Sequence, residues 1–377
     1  MTSQVVDARL RLARVPVDPP RGDAIQQFDA LELPIVEVSD ASGHHGVGFG
    51  YTIGTGGSAI ATLLRDTLLP QLIGCDGRAI VGVMERLRKS IHALTPGCIS
   101  STALAAIDVA LWDLAGHRTQ TPLYILLGGA RSSIRLYNTH VGWLNRPLDE
   151  MVDLANRAVE RDGFTALKIK IGKPDVEEDI ERLSKVREAV GRETTLMVDA
   201  NQSWTIDEAI RRMKMLEPFD LYWIEEPLEA TDLDGYARLG AHIGIARAGG
   251  ESLYSPAYFH EAIRRHALDI LQPDVARVGG ITGAMQVCHL AQAANLKVAP
   301  HVSPELSVAV ACAVPNSVFV EYIPQMEPIL AHPVVMRDGC AIPPDVPGHG
   351  IEFNPEALEH FTVCQSESSS SQAPQPA

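Results

Sequence analysis

The chain has 377 residues, of which 46% are hydrophobic and 21% are charged, and its formal net charge is −15. This length exceeds what one small core usually organises, and it favours a barrel of about 200 to 250 residues together with a second domain. The excess of negative charge argues against a nucleic-acid or anionic-membrane partner. A small anionic substrate is not excluded, because a bound cation can make the charge of a binding site locally positive.

The sequence shows no signal for export or membrane insertion. Met1–Arg11 lacks a basic segment followed by an apolar one, and we find no apolar run long enough to span a bilayer. The six cysteines are scattered without paired spacing, which is typical of free thiols in a reducing compartment. We therefore expect a cytoplasmic protein.

The N-terminal residues favour antiparallel strands. Leu33–Val38 and Gly46–Thr52 are rich in β-forming residues and flank a turn-rich connection, which predicts a hairpin. Pro16–Asp29 contains proline, glycine and aspartate, and we predict a mobile loop there. Ile53–Gly57 is a second predicted loop. Both are candidates for a lid over a site, with ordinary surface connections as the alternative.

A helical pattern follows. Ser101–Ala115 opens with Ser and Thr, is rich in Ala and Leu, and meets Gly116, so we predict a helix that ends there. Asp108 and Asp113 lie within it and are interpreted as polar positions rather than catalysts.

From Phe164 to Tyr322, short apolar runs recur every 20 to 29 residues, the length of one strand plus one helix. Continuous apolar runs are typical of parallel strands buried on both faces, and Ile134–His140 is the predicted first strand. Val176–Val190 and Gly283–Ala294 are predicted helices between runs. The alternation predicts a (β/α) barrel, whose strand ends share one pocket. The polar residues at the run ends are Lys170, Asp199, Glu225, Glu251, Asp274, His301 and Glu321.

Three carboxylates end consecutive predicted strands, and they indicate a metal site. Asp199, Glu225 and Glu251 would point at a common centre from neighbouring strands. All-oxygen ligands without Cys or His select a hard divalent ion, Mg2+ first and Mn2+ second. A Glu-Glu-Pro sequence by itself would indicate only a capped loop.

Two lysines are predicted on one side of that centre. Lys168 and Lys170 are two residues apart on a strand, so both side chains face the same way. Two like charges beside a cation depress each other's pKa, which would leave Lys170 able to act as a base near neutral pH, with Lys168 holding a substrate carboxylate. A surface pair of lysines is the alternative, and the apolar neighbours argue against it.

Asp274 and His301 end successive strands on the other side. A carboxylate beside an imidazole fixes its tautomer and raises its basicity, as in a general acid/base. Glu321 ends the last strand, where a protonated carboxyl would donate a hydrogen bond to developing negative charge. A salt bridge from Glu321 to a pocket lysine is the alternative.

Bases on two sides of a bound carboxylate indicate abstraction of the proton α to it. Return of a proton from the opposite face gives racemisation or epimerisation. Loss of a β-hydroxyl, assisted by His301 as acid, gives dehydration to a 2-keto acid.

Together these motifs resemble the enolase superfamily, mandelate racemase subgroup. They are Lys168-x-Lys170, Asp199-x-Asn201, Glu225-Glu226-Pro227, Gly250-Glu251, Pro273-Asp274 with Arg277-x-Gly279-Gly280, and His301. The resemblance implies an α/β fold in which an α+β capping domain (residues 1–130) covers a (β/α)7β TIM-like barrel (131–325). It also implies one Mg2+ held by Asp199, Glu225 and Glu251, bases at Lys170 and His301, and a homo-oligomer, an octamer or a dimer.

The end of the chain departs from the barrel pattern. We expect residues 326–362, with many prolines and glycines, to return to the capping domain and complete it. Residues 363–377 form a Ser-, Gln- and Pro-rich tail that we predict to be disordered, because this composition cannot bury a core.

Within the subgroup, Tyr137-Asn138-Thr139-His140 and Phe49-Gly50-Tyr51-Thr52 resemble acid-sugar dehydratases of the galactarate/talarate type. This resemblance implies substrate contacts from Asn201, Thr139, His140 and Tyr51. Where those enzymes tend to carry basic residues after the tyrosine, this chain has Ile53-Gly54, which favours a monocarboxylic sugar acid or a less polar hydroxy acid as substrate, unless Arg21 in the first loop compensates.

We therefore expect a Mg2+-dependent dehydratase of a sugar acid, acting on a small carboxylate. A racemase or epimerase of a 2-hydroxy acid is the alternative. A catalytically silent binding or structural relative is the third possibility, against which the complete set of ligands and bases argues.

Overall fold

The computed structural model describes residues 3–369, and its helices and strands have the following bounds. In the N-terminal part they are β1 (Val5–Gly22), β2 (Gln27–Asp40), β3 (His45–Phe49), α1 (Gly57–Leu63), α2 (Ile80–Ser90), α3 (Cys98–Thr119) and α4 (Leu123–Leu126). Within residues 134–322, eight strands alternate with seven helices: β4 (Ile134–Gly142), α5 (Leu148–Glu160), β5 (Ala166–Lys170), α6 (Val176–Val190), β6 (Thr195–Asp199), α7 (Ile206–Leu216), β7 (Leu221–Glu225), α8 (Leu233–Gly240), β8 (Ala246–Gly249), α9 (Pro256–Arg264), β9 (Ile270–Leu271), α10 (Gly280–Ala293), β10 (Lys297–Val298), α11 (Pro304–Ala313) and β11 (Val320–Tyr322). The C-terminal part contains β12 (Met336–Arg337), β13 (Cys340–Ala341), α12 (Pro355–Phe361) and β14 (Thr362–Ser369).

The barrel is parallel and closed, which confirms the predicted (β/α)7β fold. Each strand from β4 to β10 pairs in parallel with the next, and β11 pairs with β4. A parallel bridge from Val298 to Ser317 closes the ring between β10 and β11. The carboxyl ends of all eight strands therefore open on the same face.

The barrel interior is filled by large side chains at the end opposite that face. Tyr137, Trp223 and Phe319 are buried inside the ring, and the rings of Tyr137 and Trp223 meet edge to face at 5.1 Å between centroids. Because this layer closes the barrel's lower end, polar side chains at the carboxyl ends of the strands are accessible only from the capping side.

The capping domain is a four-stranded antiparallel sheet, ordered β14-β1-β2-β3, with α3 packed against it. A Cβ atom added at Gly48 would lie 2.3 Å from a backbone oxygen of Ala106, so only glycine allows this close approach of strand and helix. The predicted helix runs past Gly116 and ends at Thr119, where Gln120 adopts a left-handed conformation. Gly116 is therefore a packing glycine and not a terminator.

Helix α3 also corrects the expectation that no run is long enough to span a bilayer. An 18-residue window within this 22-residue helix has a mean hydropathy of 1.4, which suffices by length and composition alone. However, 78% of that stretch is buried inside the protein, as expected of a core helix. Its apolar character is explained by packing on both sides.

Asp108 and Asp113 have structural partners. Asp108 accepts hydrogen bonds from the Thr282 backbone N–H at 2.9 Å and from its hydroxyl at 2.5 Å, which ties α3 to α10 of the barrel. Asp113 accepts from the backbone N–H groups of Val47 and His349. His349 in the C-terminal part thereby contacts the capping sheet.

The prediction of a mobile loop over Pro16–Asp29 is wrong. Strand β1 continues to Gly22 and β2 begins at Gln27, although their register slips between Pro16 and Arg21. The hairpin tip is attached to the barrel, because the Leu144 N–H donates to the Gly22 carbonyl and the Asn145 side chain accepts from the Gly22 N–H, both at 2.9 Å. These tertiary partners stabilise a segment that composition indicates to be irregular.

The prediction of disorder over residues 363–377 is wrong for residues 363–369. Strand β14 pairs antiparallel with β1, from Asp7 opposite Ser369 to Leu12 opposite Cys364. The edge strand of the capping sheet offers backbone hydrogen-bond partners to an extended segment. Side-chain composition does not reveal that such partners are present. Residues 370–377 lie outside the described residues.

Candidate active site

The carboxyl ends of the barrel strands meet the capping hairpin around a small cavity of about 40 Å³. Six of the residues that the sequence singles out line it: Tyr51, Lys170, Asn201, Glu251, His301 and Glu321. Asp23 and Gln26 of the hairpin tip close the cavity from the capping side. Closure of this kind excludes water from reacting groups.

Lys168 lies behind the cavity, in the centre of the carboxylates. Its ammonium nitrogen lies 2.6 Å from Glu225 Oε1, 2.8 Å from Glu321 Oε1 and 3.5 Å from Asp199 Oδ2. Burial disfavours its charge, but the carboxylates outweigh burial and hold the pKa of Lys168 well above its ordinary value. Its role as a direct contact for the substrate stays a prediction.

Lys170 faces the cavity, and its nitrogen lies 2.5 Å from Asp199 Oδ2. Lys168 lowers the pKa of Lys170 as predicted, but without a bound cation the net shift of the Lys170 pKa is upward. Burial and Lys168 both lower the pKa of Lys170, yet the carboxylates of Asp199, Glu251 and Glu225 outweigh them and raise it. Lys170 is therefore protonated while those carboxylates keep their full charge.

His301 bridges two carboxylates on the other side of the cavity. Its Nδ1 lies 2.8 Å from Asp274 Oδ2, and its Nε2 lies 2.6 Å from Glu251 Oε2. Burial lowers the pKa of His301, but Glu251 and its other acidic partners raise it well above the usual value. Tyr51 donates a hydrogen bond of 2.5 Å to Asp274 Oδ2, so it supports the carboxylate that orients the imidazole.

Glu321 is ionised, which contradicts the prediction of a protonated donor and supports the alternative of a salt bridge. Its pKa is raised by burial, but Lys168 and His301 overcome this and lower it to about 2. Glu321 accepts from the Thr139 hydroxyl at 2.6 Å and from the Val302 N–H at 3.0 Å. Its negative charge keeps Lys168 charged.

The three predicted metal ligands lie on adjacent strands. Asp199 pairs with Glu225 in the strand register, and both approach the nitrogen of Lys168. Glu225 and Glu251, together with His301, offer ligand atoms within 4.8 Å of one another. His301 belongs to this group of atoms because its Nε2 contacts Glu251, whereas its Nδ1 contacts Asp274.

The region around these carboxylates fits a hard divalent cation. Burial raises the pKa of Glu225 to about 7 despite the nearby Lys168. Within residues 3–369, Asn201 Oδ1 and Glu226 Oε1 are buried oxygens without a hydrogen-bond partner. An excess of buried oxygen atoms, some of them unsatisfied, is what a hard cation would compensate.

Besides Lys168, two predicted substrate contacts do not line the cavity. Thr139 is fully buried against Glu321, and His140 is partly buried beside Arg146, which donates to its carbonyl. Their roles as substrate contacts stay predictions.

The predicted set of site residues omits several side chains that shape the site. Arg277 lies 3.5 Å from Glu251 Oε1 and 3.6 Å from Asp274 Oδ2, and Gln272 donates to Glu225 Oε2 at 2.6 Å. Both belong to or adjoin the Pro273-Asp274 motif, which is a signal that could have identified them. Trp143 and Gln325 also line the cavity, and no local motif marks them.

Comparison with known proteins agrees with this geometry. Residues 6–128 match the family described as mandelate racemase / muconate lactonizing enzyme, N-terminal domain, and residues 150–357 match the family described as enolase C-terminal domain-like. The chain belongs to the enolase superfamily, mandelate racemase subgroup. This confirms the resemblance drawn from the motifs.

The relatives of this chain include enzymes named for sugar acids. A 3,6-anhydro-alpha-L-galactonate cycloisomerase of Streptomyces coelicolor is 38% identical over 88% of this chain and 92% of its own length. An L-talarate/galactarate dehydratase of Salmonella typhimurium is 36% identical over 93% of this chain and 89% of its own length. The crystal structure of L-talarate dehydratase from Polaromonas sp. JS666, complexed with Mg and L-glucarate, has a TM-score of 0.90 at 35% identity, covering 97% of this chain and 99% of that one.

Proposed function

We propose that the protein is a Mg2+-dependent dehydratase that converts a sugar acid to a 2-keto-3-deoxy acid. The observation that carries the proposal is that Lys170 and His301 line one cavity from well-separated strands, with buried carboxylates between them and Asp274 behind His301 at 2.8 Å from its Nδ1. The talarate and galactarate dehydratases among its relatives support dehydration as the reaction.

Asp199, Glu225 and Glu251 would hold the Mg2+, with Mn2+ as a possible substitute. When bound, the cation supplies positive charge that offsets the carboxylates around Lys170 and stabilises negative charge on a substrate carboxylate. Asn201, whose Oδ1 is buried and has no hydrogen-bond partner within residues 3–369, lies beside this centre and lines the cavity.

Lys170 and His301 carry out the proton transfers. Lys170 or His301 takes the proton from the carbon next to the substrate carboxylate, depending on the configuration of the substrate. His301 delivers a proton to the departing β-hydroxyl, for which its raised pKa suits it. Asp274, held by Tyr51, keeps Nδ1 of the imidazole occupied, so Nε2 faces the reaction.

The test is a set of aldonic and aldaric acids offered with Mg2+, with 2-keto acid as the readout. We expect turnover of at least one acid, and a loss of about 100- to 10,000-fold in Lys170→Met and His301→Asn, because each removes a proton-transfer group. Lys214→Met, an exposed lysine on α7, is the matched control. Absence of keto acid across the set would contradict the proposal.

Racemisation or epimerisation of a 2-hydroxy acid is the second candidate, because it also needs a base on each side of the reacting carbon. Deuterium from solvent would then enter at that carbon without formation of keto acid. Mass spectrometry of the recovered acid distinguishes the two reactions in one experiment.

We also propose that the protein acts in the cytoplasm as a homo-oligomer. The octamer or dimer expected from the resemblance is tested by light scattering of the purified protein. A monomer at working concentration would contradict it.

A further inference from the structure

Arg21 is a buried cation that has no acidic partner in the part of the chain that the structure describes. It lies at the end of β1, next to the hairpin tip, and only 7% of its surface is exposed. Its guanidinium donates to Gln325 Oε1 at 3.3 Å and lies 5.4 Å from the centroid of the Trp143 ring. Within residues 3–369, it makes no ion pair with a carboxylate. Buried arginines are normally paired, because an uncompensated charge is costly to remove from water.

The charged group that shifts the pKa of Arg21 is basic, and so is the imidazole of His140 that Arg21 itself influences. Burial, and then Arg146, lowers the pKa of Arg21 to about 10. Burial, followed by Arg21 and Arg146, lowers the pKa of His140 to about 4. Arg146 pairs with Glu150, but its Nε and the Nδ1 of His140 are buried without a hydrogen-bond partner among the described residues. In a protein with a net charge of −15, this is a locally positive, incompletely satisfied region.

This region adjoins the cavity. Gln325 and Trp143, the two partners of Arg21, both line the cavity. The Lys170 nitrogen also lies 5.4 Å from the Trp143 ring centroid, so Arg21 and Lys170 are separated by no more than twice that distance. An extended aldaric acid can reach across such a gap.

Arg21 is also held in place. The Gly22 backbone donates to Asn145 and accepts from Leu144, and the Asn145 side chain donates to the carbonyl of Pro20. These contacts fix the residues on both sides of Arg21 to the loop after β4. A preorganised donor loses little conformational freedom when it binds an anion.

We propose that Arg21 binds the distal carboxylate of a dicarboxylic sugar acid, so that the substrates are aldaric rather than aldonic acids. The inference rests on the proposed function and names its substrate class. A guanidinium offers paired donors that match a carboxylate, and the anion supplies the missing counter-charge. The basic side chain that Ile53-Gly54 lacks is thereby supplied from the β1–β2 hairpin.

The test compares wild type with Arg21→Met and Arg21→Lys on an aldaric acid and the aldonic acid of matching configuration. We expect wild type to favour the aldaric acid, and Arg21→Met to raise its KM by about 10- to 100-fold, the range for a lost hydrogen-bonded charge pair. The KM for the aldonic acid should change less than about threefold. Arg14→Met, an exposed arginine on the same strand, is the control and should behave as wild type.

Binding is measured separately from turnover. Calorimetric titration of the aldaric acid into the Mg2+-loaded Lys170→Met variant, with and without Arg21→Met, reports the subsite even if the reaction differs from dehydration. Loss of aldarate affinity on removal of Arg21 supports the proposal even without keto-acid formation, in which case only the proposed function fails. Equal aldarate affinity with and without Arg21, or equal losses for both acids, overturns it. If Arg21→Met does not fold, Arg21→Lys must show the same selective loss in weaker form.

Discussion

Replacing Lys168 by Met tests how the buried charges of the site are balanced. Methionine keeps most of the side-chain length but removes an ammonium group that is fully buried. Glu225 and Glu321 then lose their closest cation, at 2.6 and 2.8 Å, and cannot gain solvent in exchange. We expect a large loss of stability in the absence of divalent metal.

The magnitude follows from Glu321. Its pKa falls from 4.5 to about 2 in the folded protein, which corresponds to about 3 kcal/mol of stability at neutral pH. After burial, which opposes the shift, Lys168 is its largest cause. Breaking a buried ion pair by removing one partner costs about 3 to 5 kcal/mol. This range agrees with the value obtained from the Glu321 pKa.

The pKa of Glu321 is lower in the folded protein than in the unfolded chain, and this fixes the sign of the pH dependence. The stabilisation is complete above the unfolded pKa of about 4.5, and it is lost as pH falls toward about 2. The difference between wild type and Lys168→Met should therefore be about 3 kcal/mol at pH 7 and smaller at pH 3.5.

The assay is urea denaturation in EDTA, followed by circular dichroism at several pH values, with Lys214→Met as the exposed control. The control should lie within about 0.5 kcal/mol of wild type. A loss below about 1 kcal/mol for Lys168→Met, or a loss that keeps its full size at pH 3.5, would refute the reasoning.

Three further predictions concern the metal site, the domain contact and the sheet edge. Glu251→Gln should weaken Mg2+ binding at least tenfold by calorimetry, because one charged ligand becomes neutral; unchanged binding would exclude Glu251 as a ligand. Burial raises the pKa of Asp108 from 3.8 to about 7, so wild type should gain stability relative to Asp108→Asn as pH falls from 8 to 5, and a pH-independent difference in urea denaturation would contradict this. Deletion of residues 362–377 removes β14 and exposes the edge of β1, so the midpoint of thermal unfolding should fall and aggregation should increase on light scattering; a fully stable, monodisperse truncation would show that β14 contributes nothing.

The barrel and the positions of the charged residues at its strand ends could be predicted from the sequence. Apolar runs with a regular spacing predict parallel strands, and parallel strands in a closed barrel present their carboxyl ends on one face. For this reason Lys170, Glu251 and His301 could be assigned to one cavity from spacing alone. Helix α6 was predicted with its observed bounds, Val176–Val190, because its charges recur at helical spacing.

Only the tertiary structure decided the charge states and the capping-side contacts. The shift of the Lys170 pKa depends on the distance to Asp199 as well as to Lys168, and sequence spacing does not contain the distances across strands. The regular structure of the β1–β2 hairpin and of β14 likewise depends on hydrogen-bond partners that are remote in the chain. Backbone groups at a sheet edge or in a loop need such partners, and the sequence does not show which segment will supply them. Arg21 was visible as a basic residue in the sequence, but its burial without a counter-charge is a property of the folded protein alone.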